Sequence, residues 1–253
     1  MRFRTDDERN GSFLLKSGIA AVSAVILVVG AYVAIRPKPD PQAGAVVGFT
    51  PPPAMPALRV VVLRGGSTGC RPTGGCNDAN YAQVLAAKEG WIMTVLAQGG
   101  TGYVGGSQNT PPTNFASQLP AVYQAKPDLV IVEGSVADQY YPPAAIQQAA
   151  IGVLTDLKTH LPNAKVVVVG PAWAGTPPPN IVGVENAVND ATIGRAALAI
   201  DPIAQGWFNG PNASLMAADL QSPTDQGHAR IAAMIAADLQ PLHLQAVAAS
   251  PAT

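Results

Sequence analysis

The sequence predicts a three-layer α/β domain built on about five parallel strands, and three observations carry that prediction. Four short runs, LRVVVL (58–63), WIMTVLA (91–97), DLVIVE (128–133) and KVVVVG (165–170), are nearly continuous in apolar residues. Runs of this kind read as strands covered on both faces, as in a parallel sheet. Longer segments with helical spacing lie between them, and a βαβα rhythm is the pattern of helices laid over such a sheet. The 253-residue chain is 48% hydrophobic and only 12% charged, so it can bury a sizeable core.

The elements follow in order. NDANYAQVLAAKEG (77–90) reads as the first helix, with Asn77 or Asp78 placed to cap its start and Gly90 its end. TNFASQLPAVYQA (113–125) reads as the second, broken or restarted by Pro120. PPAAIQQAAIGVLTDLKTHLP (142–162) is the third, and further helices are expected over 183–198 and 223–239. A weak fifth strand is expected near Ala199–Asp201. In sheets of this class the ligand crevice lies outside the carboxyl ends of the strands, which directs attention to the loops 64–76, 98–112, 134–141 and 171–182.

The segments before this domain, 58–243, have a different character. Residues 1–16 read as a cytoplasmic tail. Ser17–Ile35 carries no charge over 19 residues, enough to cross a hydrocarbon core of about 30 Å. Arg2, Arg4, Arg9 and Lys16 before this stretch, against Arg36 and Lys38 after it, favour a cytoplasmic N-terminus. An uncleaved single-pass anchor and a cleaved signal both remain open, and either places the domain outside the cytoplasm or secretes it. Residues 36–57 are Pro-rich and read as an extended tether, and 244–253 as a C-terminal tail. Cys70 and Cys76, a close pair in an exported domain, suggest a disulfide clamping their loop.

Charge removes one class of partner. Fifteen Lys+Arg against 16 Asp+Glu leaves a formal net charge of -1, with no basic surplus to neutralise phosphates, so nucleic acid is not expected. No cluster has metal-ligand spacing and no dinucleotide fingerprint is present, so no metal and no cofactor is expected.

Four loop segments carry possible chemistry. The first strand runs into VVVLRGGSTGC, which puts Ser67 just past the strand end behind Gly65 and Gly66. Taken alone this is an ordinary turn composition, because a serine hydroxyl becomes a nucleophile only with a base to take its proton. AQGGTGYVGG (97–106) follows the second strand, VEGSVADQ (132–139) the third, and ADLQSPTDQGHARIA (218–232) opens the last helix. In this order the segments resemble the SGNH (GDSL) hydrolase family over roughly residues 58–240, in particular exported bacterial members with a Pro-rich tether.

That resemblance implies a flavodoxin-like sheet and hydrolysis of esters or acetyl groups through a serine acyl-enzyme. Residue by residue, Ser67 matches the nucleophile, while Gly66 stands where the family has Asp. Gly100 matches the oxyanion glycine, with Gly99 and Gly102 as register alternatives, so the oxyanion donors would be the amides of Ser67 and Gly100. Ala137 precedes Asp138 where the family has an Asn side-chain donor; Asn114 or Gln139 is a candidate substitute. The family's Asp-x-x-His falls on Asp219-Leu220-Gln221-Ser222, which puts a serine in the base position. A second register, Asp225-Gln226-Gly227-His228, supplies His228 as base, oriented by Asp225 or by Asp219. His160 and His243 read as solvated or packing residues, Trp173 as lining or underlying the crevice, and Tyr103, Tyr140 and Tyr141 as loop residues on the crevice side.

Two functions therefore remain open at this level. One is an extracytoplasmic serine ester hydrolase (an esterase, lipase or deacetylase, with acyl transfer using the same nucleophile) acting on an ester-bearing lipid or acetylated glycan of the cell envelope. The other is a catalytically degenerate module that binds an envelope lipid or glycan.

Overall fold

Five strands pair in parallel in the order β2-β1-β3-β4-β5 in the computed structural model, which describes residues 56–66, 80–106 and 113–244. They are β1 (Arg59–Arg64), β2 (Ile92–Ala97), β3 (Leu129–Glu133), β4 (Lys165–Val169) and β5 (Ala197–Ile200). This order is flavodoxin-like, and its direction reverses between β1 and β3, where such sheets open a crevice. The predicted class and strand number are those observed. The apolar stretch 17–35, most of the tether, Ser67 and the pair Cys70 and Cys76 lie outside the described residues. Among the described residues, no helix is long and apolar enough to cross a membrane.

Strand alternation divides the core in two. Val60, Val62, Leu129, Ile131, Val167 and Val169 face one side, packed against α1 (Tyr81–Glu89) and α5 (Asp225–Leu239). Val61, Leu63, Val130, Val132, Val166 and Val168 face the other, beneath α2 (Phe115–Ala125), α3 (Pro143–His160) and α4 (Pro179–Thr192). A residue's parity in its strand thus decides which helices it meets.

Several boundaries differ from expectation for identifiable reasons. The first helix is capped by Asn80, whose side chain accepts from the Ala82 N–H at 3.1 Å, while Gly90 ends it at φ 68° as predicted. Pro120 does not break α2: the helix runs through it, and Ala116, whose carbonyl loses its partner there, is exposed to water. The fourth helix starts at Pro179, earlier than expected, because proline suits the first helical turn, and it stops before Gly194 at φ 70°. β2 is not the fully buried strand predicted: it is the sheet edge, and Ile92 is 59% exposed. β5 ends at Ile200, so Asp201 leaves the strand and its carboxylate accepts the N–H groups of Ile203 and Ala204.

Asp201 also faces Glu185 of α4. Burial, and then the Asp201 charge, push the Glu185 carboxyl up from its ordinary 4.5 to about 7. The folded state therefore holds a proton there that the unfolded chain has released. The resulting stability is full below about pH 4.5 and is lost as pH rises through 7. Glu185→Gln should leave the melting temperature unchanged at pH 5 and raise it by several degrees at pH 8.5. Thermal unfolding of the two proteins at both pH values measures this directly.

Candidate active site

A cavity of about 280 Å³ opens at the carboxyl ends of β1, β3 and β4. Its walls are Gly65 and Gly66 after β1, Gly100 after β2, the segment Gly134–Ala137 with Gln139 after β3, Gly170–Ala172 after β4, and Gln221–Pro223 before α5. Its floor holds two charged groups, Arg64 and Glu133, the last residues of β1 and β3 and direct partners across the ladder.

Those two residues were not singled out from the sequence. Arg64 Nε lies 2.9 Å from Glu133 Oε2, and the same carboxylate oxygen accepts the Tyr81 hydroxyl at 2.7 Å. The Arg64 guanidinium also sits over the Tyr81 ring, 4.9 Å from its centroid, and its buried Nη1 has no hydrogen-bond partner among the described residues. The available signal was a pair of opposite charges closing adjacent apolar runs, VVVLR and LVIVE. Charged residues end such strands where the backbone emerges at a crevice.

His228 enters the same cluster from α5. It is buried, stacks on Tyr81 with ring centroids 6.3 Å apart, and leaves Nδ1 without a partner among the described residues. Burial and the nearby Arg64 charge lower its pKa, so the imidazole is neutral at pH 7. It stands behind the cavity lining and is not part of it. Asp225, at the first position of α5, is exposed and makes no hydrogen bond to His228.

Asp219 and Ser222 form a tight turn on the cavity wall. The Asp219 carboxylate accepts the Ser222 hydroxyl at 2.6 Å and the Ser222 N–H at 2.8 Å, bonds that hold its pKa below the ordinary range. Ser222 thus occupies the cavity-lining end of the Asp-x-x-His frame, held by the aspartate. Leu220 within the turn adopts φ 64°, an uncommon conformation for leucine, and its carbonyl accepts the Ala174 N–H.

The glycine loop is fixed from below by Asp138. This fully buried carboxylate accepts three successive backbone N–H groups, from Tyr103 (2.8 Å), Val104 (2.9 Å) and Gly105 (2.7 Å). A Cβ at Gly102 would overlap the carboxylate, and one at Gly65 would overlap the Thr101 carbonyl, so both close approaches require glycine. Gly100 lines the cavity, and its N–H donates to the Gly65 carbonyl at 3.1 Å; the Gly102 N–H donates to Gly105. Asn114 caps α2 through a reciprocal pair of bonds with Ser117, whereas Gln139 does line the cavity. Tyr103 is core, edge-on to Phe115 at 5.0 Å, and Trp173 is partly buried beside the lining residues Pro171 and Ala172. His160 is an exposed helix-end residue stacked on Tyr123, and His243 is exposed.

The GDSL-like Lipase/Acylhydrolase family model matches residues 65–230, more than half of the chain. The chain belongs to this family. As a GDSL-like protein it shares its fold with solved structures of low sequence identity. TesA is 21% identical, with a TM-score of 0.55, and the match covers 73% of this chain and 99% of that one. A psychrotrophic esterase EstA from Pseudoalteromonas sp. is 12% identical, with a TM-score of 0.55 and coverages of 72% and 97%. A family two carbohydrate esterase from Cellvibrio japonicus is 15% identical, with a TM-score of 0.57, covering 76% of this chain and 63% of that one. No curated protein sequence matches. The match spans the glycine loop and the Asp219 turn, with Gly66, Ala137 and Ser222 at the three positions where the resemblance led us to expect Asp, Asn and His.

Proposed function

We propose that this chain is a serine ester hydrolase working outside the cytoplasm on an ester-bearing lipid or acetylated glycan of the cell envelope. The stretch 17–35 would hold it at the membrane as an anchor, or release it if cleaved, and a Cys70–Cys76 disulfide would brace the loop after the nucleophile. The observation that supports this reading is the Arg64–Glu133–Tyr81–His228 cluster. It brings a neutral imidazole at the start of α5 toward the end of β1, the strand that leads into Ser67.

In this mechanism Ser67 Oγ attacks the ester carbonyl and passes its proton to His228, whose ring has to turn from behind the lining toward the crevice. The amides of Ser67 and Gly100 receive the developing oxyanion, which requires the Gly100 bond to Gly65 to open as the ester enters. Collapse of the tetrahedral intermediate expels the alcohol, which takes the proton back from His228, and leaves an acyl-Ser67. Water then adds with His228 again as base, releasing the acid and restoring the hydroxyl. Asp225 supplies only long-range charge to His228, and Asp219 is the alternative acid.

The test is labelling of the full-length protein by a fluorophosphonate probe together with turnover of p-nitrophenyl acetate. Both should be present in the native chain and absent from Ser67→Ala, and turnover should fall about 10²-fold or more in His228→Ala. Labelling that persists in Ser67→Ala would overturn the nucleophile, and unchanged turnover in His228→Ala would overturn the base. A second reading, a ligand-binding module without turnover, is favoured by Ser222 in the base position and by the engaged Gly100 amide. It predicts no labelling of the native chain.

A further inference from the structure

We infer that a groove at the amino ends of β4 and β5 binds a single-chain anionic amphiphile of the fatty-acid type, its carboxylate held by Lys158 and Arg195. The groove lies at the end of the sheet opposite the crevice, and the inference stands whether or not the crevice turns over an ester. Its volume is about 400 Å³, larger than the crevice and within the range of small-molecule sites. It is framed by the last two turns of α3, by Gly194–Ala196 ahead of β5, and by the first residues of β4 and β5.

Its wall has an apolar part and a cationic part. Leu154 of α3 and Val166 of β4, both buried, form the floor, and Ala197 pairs with Val166 across the ladder, so the apolar surface passes from one strand to the next. Ala196 extends it. Lys158 and Arg195 stand on the same wall, and among the described residues no acidic side chain lines the groove. The alkyl stems of the two cations add to the apolar lining while their heads stay in water.

The positive charge there exceeds what the fold uses. The Lys158 ammonium donates to the Pro162 carbonyl at 2.9 Å, and Arg195 Nη1 donates to the carbonyls of Ala191 and Ile193 at 3.0 and 3.1 Å. These bonds hold the cations at the carboxyl ends of α3 and α4, where each helix presents roughly half a negative charge. Two full charges against two halves leave a surplus of about one. Neither cation has a carboxylate within salt-bridge distance among the described residues. A neutral lipid in the groove would leave that surplus unpaired, and a small inorganic anion would leave the apolar floor wet. A carboxylate on one short alkyl chain satisfies both parts, because the head accepts charge-assisted hydrogen bonds and the chain covers the floor.

The experiment is calorimetry of the full-length protein with octanoate, and with octan-1-ol and acetate as controls. Octanoate should bind at one saturable site, about tenfold or more tightly than either control. Lys158→Gln should weaken octanoate about three- to tenfold, and adding Arg195→Gln should take the loss beyond tenfold. If loss of the Arg195 bonds to the end of α4 unfolds the double variant, Lys158→Gln alone decides, since that side chain is exposed and makes a single hydrogen bond. Turnover of p-nitrophenyl acetate should be the same in Lys158→Gln as in the native chain, which separates this groove from the crevice. Absence of saturable octanoate binding, a control that binds as tightly, or an unchanged octanoate affinity in Lys158→Gln would each overturn the inference.

Discussion

Ser222→His combined with Ala137→Asn should raise kcat/KM on p-nitrophenyl acetate by about 10² or more over the native chain. Asp219 already points its carboxylate into position 222, with the Ser222 hydroxyl at 2.6 Å and two backbone N–H groups of the turn fixing its orientation. An imidazole placed there loses the Ser222 hydroxyl bond but gains an orienting acid that the backbone N–H groups of Gln221 and Ser222 still hold low. General-base catalysis is worth about 10²–10⁴, and one oxyanion donor about 10²–10³. Ser222 and Ala137 both lie on the cavity wall, so both new side chains enter the site. Adding Asp219→Asn should remove most of the gain, since the amide no longer holds the imidazole in the needed tautomer. A flat response to the double substitution would show that the crevice does not present an ester carbonyl to residues 137 and 222.

The largest loss of stability is expected from Asp138→Ala, about 3–5 kcal/mol by chemical denaturation. Among the described residues its carboxylate is the sole acceptor for three consecutive N–H groups within buried or partly buried backbone. Removing it strands all three, and each unsatisfied donor costs about 1–3 kcal/mol. Packing around neighbouring Gly102 leaves no room for a side chain to fill the gap from above. Asp138→Asn should cost less, because its carbonyl oxygen still accepts, although its NH₂ group cannot. A loss below about 1 kcal/mol in Asp138→Ala would mean that the glycine loop re-forms its hydrogen bonds without the carboxylate. The loop carries Gly100, so ester turnover should fall together with stability.

The strands were legible because their apolar runs are unbroken: VVVL, LVIV and VVVV admit little but a strand buried on both faces. The edge position of β2 was not, since IMTVLA reads the same whether one or two neighbours pair with it. The first helix is capped by Asn80 and not by the candidates Asn77 or Asp78, because only geometry tells which side chain reaches the second N–H. In the site, the spacing Asp219–Ser222 was enough to find the turn. It gave no hint that His228 would stack on Tyr81, a residue far earlier in the chain.

Local sequence alone settled the parallel sheet, the covering helices and the loops at their carboxyl ends, because periodicity and turn chemistry act over a few residues. The tertiary structure decided which side chains share the crevice. Arg64 and Glu133 become partners only when β1 and β3 pair in register, and Tyr81 and His228 join them only when α1 and α5 cover the same face. Those contacts depend on the order in which strands lie side by side, a long-range property that no single segment of the chain encodes.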